Sequence, residues 1–191
     1  MKSLHIFICL LIYHSTISQE KYFQQKVDTY IDVELDDKKH FLYGSEKIVY
    51  TNNSNQNLDS ILIHLWPNAY QNIDTELGKQ KIEDGQLYIK YAPNYTRGYI
   101  DSLEFKVNSK PVKWKLSDKY IDIAILSLNN SLKKGDSIEI TTPFRVKIPS
   151  GRFSRLGHIG QSYQITQWFP KPAVYDVDGW HPLPYLNQGE F

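Results

Sequence analysis

The sequence predicts a mainly β domain, an antiparallel saddle-like sheet or sandwich with one short helical insertion near residues 74–85. Three observations lead there. The chain holds 14 tyrosines and a single methionine, a bias toward residues that suit strands. Apolar side chains recur at every second position over several stretches, the period of a half-buried strand. Polar turn segments separate these stretches at spacings of about ten residues, as in antiparallel sheets and sandwiches.

Taken in order, Val27, Thr29, Ile31, Val33 and Leu35 alternate with Asp28, Tyr30, Asp32 and Glu34 as the first strand. Asp36-Asp37-Lys38-Lys39 is a turn, and residues 41–50 form the return strand. Residues 51–57, rich in Asn and Ser, turn again. Ser60 to Trp66 is a third strand that Pro67 and Asn68 end. Asp74 is placed to cap a short helix over TELGKQKIED, with Gly85 stopping it. A loop through Pro93, Asn94 and Arg97-Gly98 completes this insertion on the β scaffold. Strands resume with alternating Leu103, Phe105 and Val107, a turn at Asn108-Ser109-Lys110-Pro111, and a return through Val112 and Trp114. Two more strands are expected over 120–128 and 137–146, separated by the Leu132-Lys133-Lys134-Gly135-Asp136 turn.

The N-terminus reads MKSLHIFICLLIYHSTIS: one lysine, an apolar run over residues 4–13, then small and hydroxyl residues. That order identifies a secretory signal peptide over residues 1–18, with residues 19–191 as one β domain. The apolar run is shorter than the ~20 residues a spanning helix needs, so no stable membrane insertion is expected. Cys9, the single cysteine, lies inside this segment. Export without disulfides points to the bacterial envelope, either secreted or periplasmic. Lys plus Arg is 22 against 21 for Asp plus Glu, so the basic excess of a nucleic-acid binder is missing.

Residues 149–191 crowd aromatics, prolines and glycines together: PSGRFSRLGHIGQSYQITQWFPKPAVYDVDGWHPLPYLNQGEF. Ordered loops of this kind are held by specific side chains and often carry function. Yet the chain shows no zinc-binding H-E-x-x-H helix, nucleophile elbow, phosphate loop or paired Cys-x-x-Cys. No carboxylate pair stands out, and no catalytic residue is assigned. His64, within an apolar strand, reads as a hydrogen-bonded core histidine. His158 and His181 lie in the C-terminal loops, where either a structural hydrogen bond or a binding role is open.

The run SYQITQWFPKPAVYD from Ser162 resembles the N-terminal domain of the aminopeptidase N and leukotriene A hydrolase family of zinc metallopeptidases. It is similar to the secreted branch from Bacteroidetes-like bacteria. YFQQKVD at Tyr22, HLWPNAY at His64, RGYIDSLEFKVN at Arg97 and SRLGHIGQSYQITQW at Ser154 fit the same branch, in order along the mature chain. The resemblance implies a saddle-shaped β domain packed against a thermolysin-like catalytic domain. That partner domain would carry the zinc and the motif that grips a free amino terminus. It also implies that the sequence stops at NQGEF before the last strands of the domain. The zinc ligands would lie outside this chain, which would bind no metal itself.

The resemblance further places Thr166-Gln167-Trp168-Phe169 on a loop at the active-site edge. Gln167 falls on the family's glutamine, whose amide both donates and accepts hydrogen bonds at the start of a peptide substrate. Phe169 stands where an acidic or amide residue is expected, and an aromatic face attracts an ammonium by only about 0.5–2 kcal/mol. Gln167, Trp168 and Phe169 are therefore the candidate substrate-binding residues. Two other readings stand beside this one. An independent β-sandwich module would bind peptides or glycans on a platform of Trp168, Phe169 and Trp180. A fragment inert on its own would expose a sheet edge and an apolar face. For Tyr175 and Trp180, packing beneath the loops is the expected role.

Overall fold

The computed structural model describes residues 22–188. The signal-peptide assignment and Cys9 fall outside them. The strands, in chain order, are β1 (Lys26–Asp36), β2 (Phe41–Thr51), β3 (Leu58–His64), β4 (Tyr99–Asp101), β5 (Lys106–Val107), β6 (Lys110–Pro111), β7 (Lys113–Leu116), β8 (Ile123–Leu132), β9 (Ser137–Lys147), β10 (Gly157–Ile159), β11 (Ser162–Gln164), β12 (Lys171–Pro172), β13 (Val174–Asp176) and β14 (Gly179–His181). Two helices, α1 (Glu76–Glu83) and α2 (Tyr88–Tyr91), lie between β3 and β4. Mainly β with a short helical insertion is therefore the observed class.

One sheet runs β1-β2-β9-β5-β6 with β4 also on β9, and a second runs β12-β3-β8-β7. All these pairings are antiparallel. The two sheets close on one apolar core. Leu42, Ile48 and Tyr50 of β2 and Ile140, Phe144 and Val146 of β9 meet Ile61 and Ile63 of β3 and Ala124 and Leu126 of β8. Each set follows the two-residue alternation that puts one face of a strand inward.

β2 and β9 pair in unbroken register from Phe41↔Lys147 to Thr51↔Ser137. Gly44 sits opposite Phe144 in that register. A Cβ at Gly44 would lie 2.5 Å from the Phe144 ring, so the ring occupies the space the glycine leaves.

The insertion is a second packing unit. Trp66–Tyr70 form a 3-10 turn that buries Trp66, Ala69 and Tyr70. They pack with Leu77 of α1, Ile89 of α2 and, from the C-terminal segment, Phe153, Leu156 and Tyr185. Asn68 ties this unit to the sheets: its Nδ2 donates to the Ile121 carbonyl at 3.0 Å and its Oδ1 accepts from the Ile100 amide at 3.0 Å.

Several boundaries differ from the sequence reading. Thr75, not Asp74, caps α1, its hydroxyl accepting from the Gly78 amide at 3.0 Å. Thr75 is buried and its hydroxyl donates to the Ala69 carbonyl at 2.7 Å, so one side chain closes the helix onto the preceding turn. The third strand stops at His64 because the chain turns into the 3-10 segment at Leu65. Leu103 and Phe105 are not in a strand. Ser102 takes a left-handed backbone, φ 60°, and breaks the ladder between β4 and β5 while Phe105 stays buried. The stretch 149–191, read as loop, contains hairpins β10–β11 and β13–β14. Asn52, at the start of one N-x-Ser/Thr sequon, is fully buried. Its amide donates to the Gln56 and Leu132 carbonyls at 2.7 and 2.9 Å.

One core position is an acid. Glu46, on the inner face of β2 opposite Thr142, is 4% exposed. Neither carboxyl oxygen has a hydrogen-bond partner among the described residues. Burial pushes its pKa up to about 8, so the group is protonated at neutral pH. Between the ordinary value near 4.5 and about 8, the unfolded chain ionises while the native one keeps its proton, and native stability falls as pH rises. The total is roughly 3–5 kcal/mol. Glu46→Gln keeps the shape and removes the titration. Its stability gain over wild type should be near zero at pH 4.5 and reach several kcal/mol near pH 8 by urea unfolding. Wild-type and variant curves running parallel across that window would contradict it.

Candidate functional site

The C-terminal segment is short strands held mostly by side chains. β10 and β11 turn through Gly160, φ 56°, and β13 and β14 turn through Gly179, φ 98°, both left-handed positions suited to glycine. Gly157 allows a close crossing, since a Cβ there would lie 2.5 Å from Gly151 Cα.

The first hairpin is pinned to the β1–β2 turn by a ring cluster. His158 stacks on His40 with centroids 3.6 Å apart and planes at 17°. The Tyr163 hydroxyl donates to the Asp37 carbonyl at 3.0 Å and meets His40 Nδ1 at 2.7 Å. The second hairpin is tied by His181 Nε2 against Asp176 Oδ1 at 2.7 Å, and this bond holds the Asp176 carboxyl below the usual carboxylate range. Both C-terminal histidines thus make structural contacts. Tyr175 and Trp180 pack edge to face at 5.0 Å, with Trp180 6.3 Å from Tyr50, as expected for rings under the loops.

Gln167, Trp168 and Phe169 lie between these hairpins. Gln167 has a left-handed backbone, φ 54°, uncommon for a residue with a side chain. Its Oε1 accepts from Lys171 Nζ at 2.5 Å. Lys171 is placed by the β12–β3 pairing, which sets it opposite His64. Its ammonium also sits 3.7 Å from the centre of the Trp66 ring. Trp66 in turn stacks on His64 at 4.6 Å. Trp168 packs 5.8 Å from Phe144 and 5.3 Å from Phe169, and both indoles, Trp168 and Trp180, and the Phe169 ring lean on the core. The three rings are half-buried and form no open platform.

Sequence reasoning named Gln167, Trp168 and Phe169, and the fold holds them in one segment. It missed Lys171 and Trp66, whose meeting depends on a two-residue strand that no periodicity reveals. His64 is only partly as expected. It is buried at 6% exposure, but neither ring nitrogen makes a hydrogen bond of normal geometry among the described residues. Burial first, then the charge of Lys171, lowers its pKa to about 4, while a weaker backbone interaction with His181 acts the other way. His64 is neutral near pH 7.

Among the described residues, no group of three or more His, Cys, Asp or Glu side chains is gathered to hold a metal ion. The residues present do not fit a zinc centre. No helix among them is long and apolar enough to cross a membrane.

No protein-family model matches the chain, and no curated protein matches it. Solved structures do. An M1 zinc metallopeptidase from Deinococcus radiodurans aligns over 68% of this chain and 21% of its own, at 12% identity and TM-score 0.37. A mutant of such an enzyme from the same organism aligns over 74% and 25%, at 13% identity and TM-score 0.40. A further mutant structure from that organism, bound to a Tyr-Ser-Ala substrate, gives 68%, 21%, 12% and 0.38. The chain spans about a quarter or less of the length of each of these structures.

The Lys171 charge and the burial of His64 make one measurable pair. In Lys171→Met, the imidazole of His64 should titrate at higher pH than in wild type, because a repelling cation is gone while burial remains. Proton NMR of the ring signals reads this directly. A wild-type midpoint at the ordinary histidine value would show that His64 is not enclosed as described.

Proposed function

We propose that this chain is the non-catalytic, β-rich front portion of an exported zinc metallopeptidase of aminopeptidase type. Its role is to shape the substrate entrance and to support a catalytic domain outside residues 1–191. The ordered series of family-like segments from Tyr22 to Asp176 supports the family assignment. The observation that carries the site reading is Gln167. The residue that the resemblance sets at the substrate edge has a left-handed backbone and an amide oxygen clamped by Lys171. Non-glycine residues held in such conformations cluster at ligand clamps and active sites.

Among the described residues the Gln167 Nε2 protons make no hydrogen bond, and a peptide carbonyl is the natural acceptor for them. Trp168 and Phe169 then act from below, holding the backbone of Gln167 against the core. Hydrolysis itself, by a zinc-bound water, would belong to the catalytic domain.

The test is zinc content and hydrolysis of an aminoacyl-p-nitroanilide, measured on residues 19–191 and on the complete product of the gene. Zinc and turnover confined to a longer polypeptide with its own zinc motif is the expected result. Stoichiometric zinc or turnover in residues 19–191 would overturn the proposal and direct attention to His158 and His181. In the active polypeptide, Gln167→Ala should raise KM for peptides by roughly 3–10-fold, the loss of one hydrogen bond, with kcat changed less. An unchanged KM would return Gln167 to a purely structural role.

A further inference from the structure

β1 ends the six-stranded sheet, and no strand among the described residues lies beyond it. An edge of this length presents a row of backbone donors and acceptors to any incoming chain. Its two faces differ sharply. On the inner side, Val27, Ile31, Val33 and Leu35 stand opposite Tyr50, Glu46, Gly44 and Leu42 of β2. Ile31 packs on the core, whereas Val27, Val33 and Leu35 remain 40%, 48% and 42% exposed. On the outer side lie Asp28, Asp32, Glu34 and Asp36. Lys26 pairs with Asp28 at 3.0 Å and Lys39 with Asp36 at 3.6 Å. Asp32 and Glu34 make no ion pair among the described residues.

We propose that β1 is a docking edge for a separate polypeptide strand in which apolar residues alternate with lysine or arginine. Such a strand adds to the sheet through its backbone. Its apolar side chains cover Val27, Val33 and Leu35, and its basic ones, two residues apart, meet Asp32 and Glu34. Near Val27 the inner face runs into a cavity of about 260 Å³ lined in part by Phe23, Tyr50 and Tyr175. This recess takes a large apolar side chain of the incoming strand. A second copy of the protein is the poorer occupant. Pairing β1 with itself about a two-fold axis at Ile31 lets Lys26 meet Asp36, but it sets Asp28 against Glu34 and Tyr30 against Asp32, so no cation faces Asp32 or Glu34 and like charges stand directly opposite. The proposal is independent of zinc and of Gln167.

The test is fluorescence anisotropy of the full chain with three short labelled probes. The first alternates valine and lysine, the second is the same peptide N-methylated at every second residue, and the third carries glutamate for lysine. The valine–lysine probe should bind, and more weakly as salt is raised. N-methylation, which removes the backbone donors, and charge reversal should each weaken binding by at least ~10-fold. The double variant Asp32→Lys with Glu34→Lys should also lose at least ~10-fold for the first probe, with an unchanged circular dichroism spectrum, and should now bind the glutamate probe. Equal binding of the N-methylated probe would overturn the proposal. So would absence of binding, including the case where sedimentation shows a dimer and a second copy holds the edge.

Discussion

The Gly44–Phe144 contact sets the geometry on which most of the fold depends. The β2–β9 ladder is as long as the β1–β2 ladder, and both β2 and β9 supply the core with side chains. At one rung the partner of Phe144 is a glycine, and the phenyl ring lies where a side chain would have been. Trp168 then rests 5.8 Å from that ring, and Phe169 rests on Trp168. The candidate entrance segment is thus positioned from the centre of the sheet outward. The Lys171 hydrogen bond to Gln167 then holds the segment from its other side.

The buried polar groups fall into two kinds, and the difference separates joints from strained points. Asn52 and Asn68 spend their amides on backbone groups of neighbouring elements. They act as joints, because an amide that is fully bonded fixes the relative position of the chains it touches. Glu46 and His64 are enclosed with no good partner among the described residues. Both resolve the cost of burial by giving up charge, Glu46 by keeping its proton and His64 by refusing one. Asp122 lies between the two kinds: burial raises its pKa to about 6, yet its Oδ2 accepts from the Tyr185 amide at 2.8 Å. It joins the C-terminal segment to the second sheet.

Long strands were legible in the sequence because their signal is repeated. Over β1, β2 and β9 the alternation runs for many residues, and any one exception, such as Glu46, leaves the pattern intact. Short elements were not legible. β12 is two residues long and contains a proline, yet it sets Lys171 opposite His64. The cap of α1 was misplaced by one residue because Asp74 and Thr75 are both good caps, and only the burial of Thr75 decides between them. The triplet Gln167, Trp168 and Phe169 was found through family resemblance. Its support by Trp66 and Lys171 joins residues about a hundred positions apart, which no local pattern encodes.

Lys171 is the point where these constraints meet. One ammonium faces the Trp66 ring, donates to Gln167 and raises the cost of charging His64. A cation on an aromatic face is stabilised by the ring, so the Trp66 face contributes to holding Lys171 at this position. His64 remains uncharged down to about pH 4. Protonating it would set a second cation against the Lys171 ammonium, which already faces the Trp66 ring and donates to Gln167.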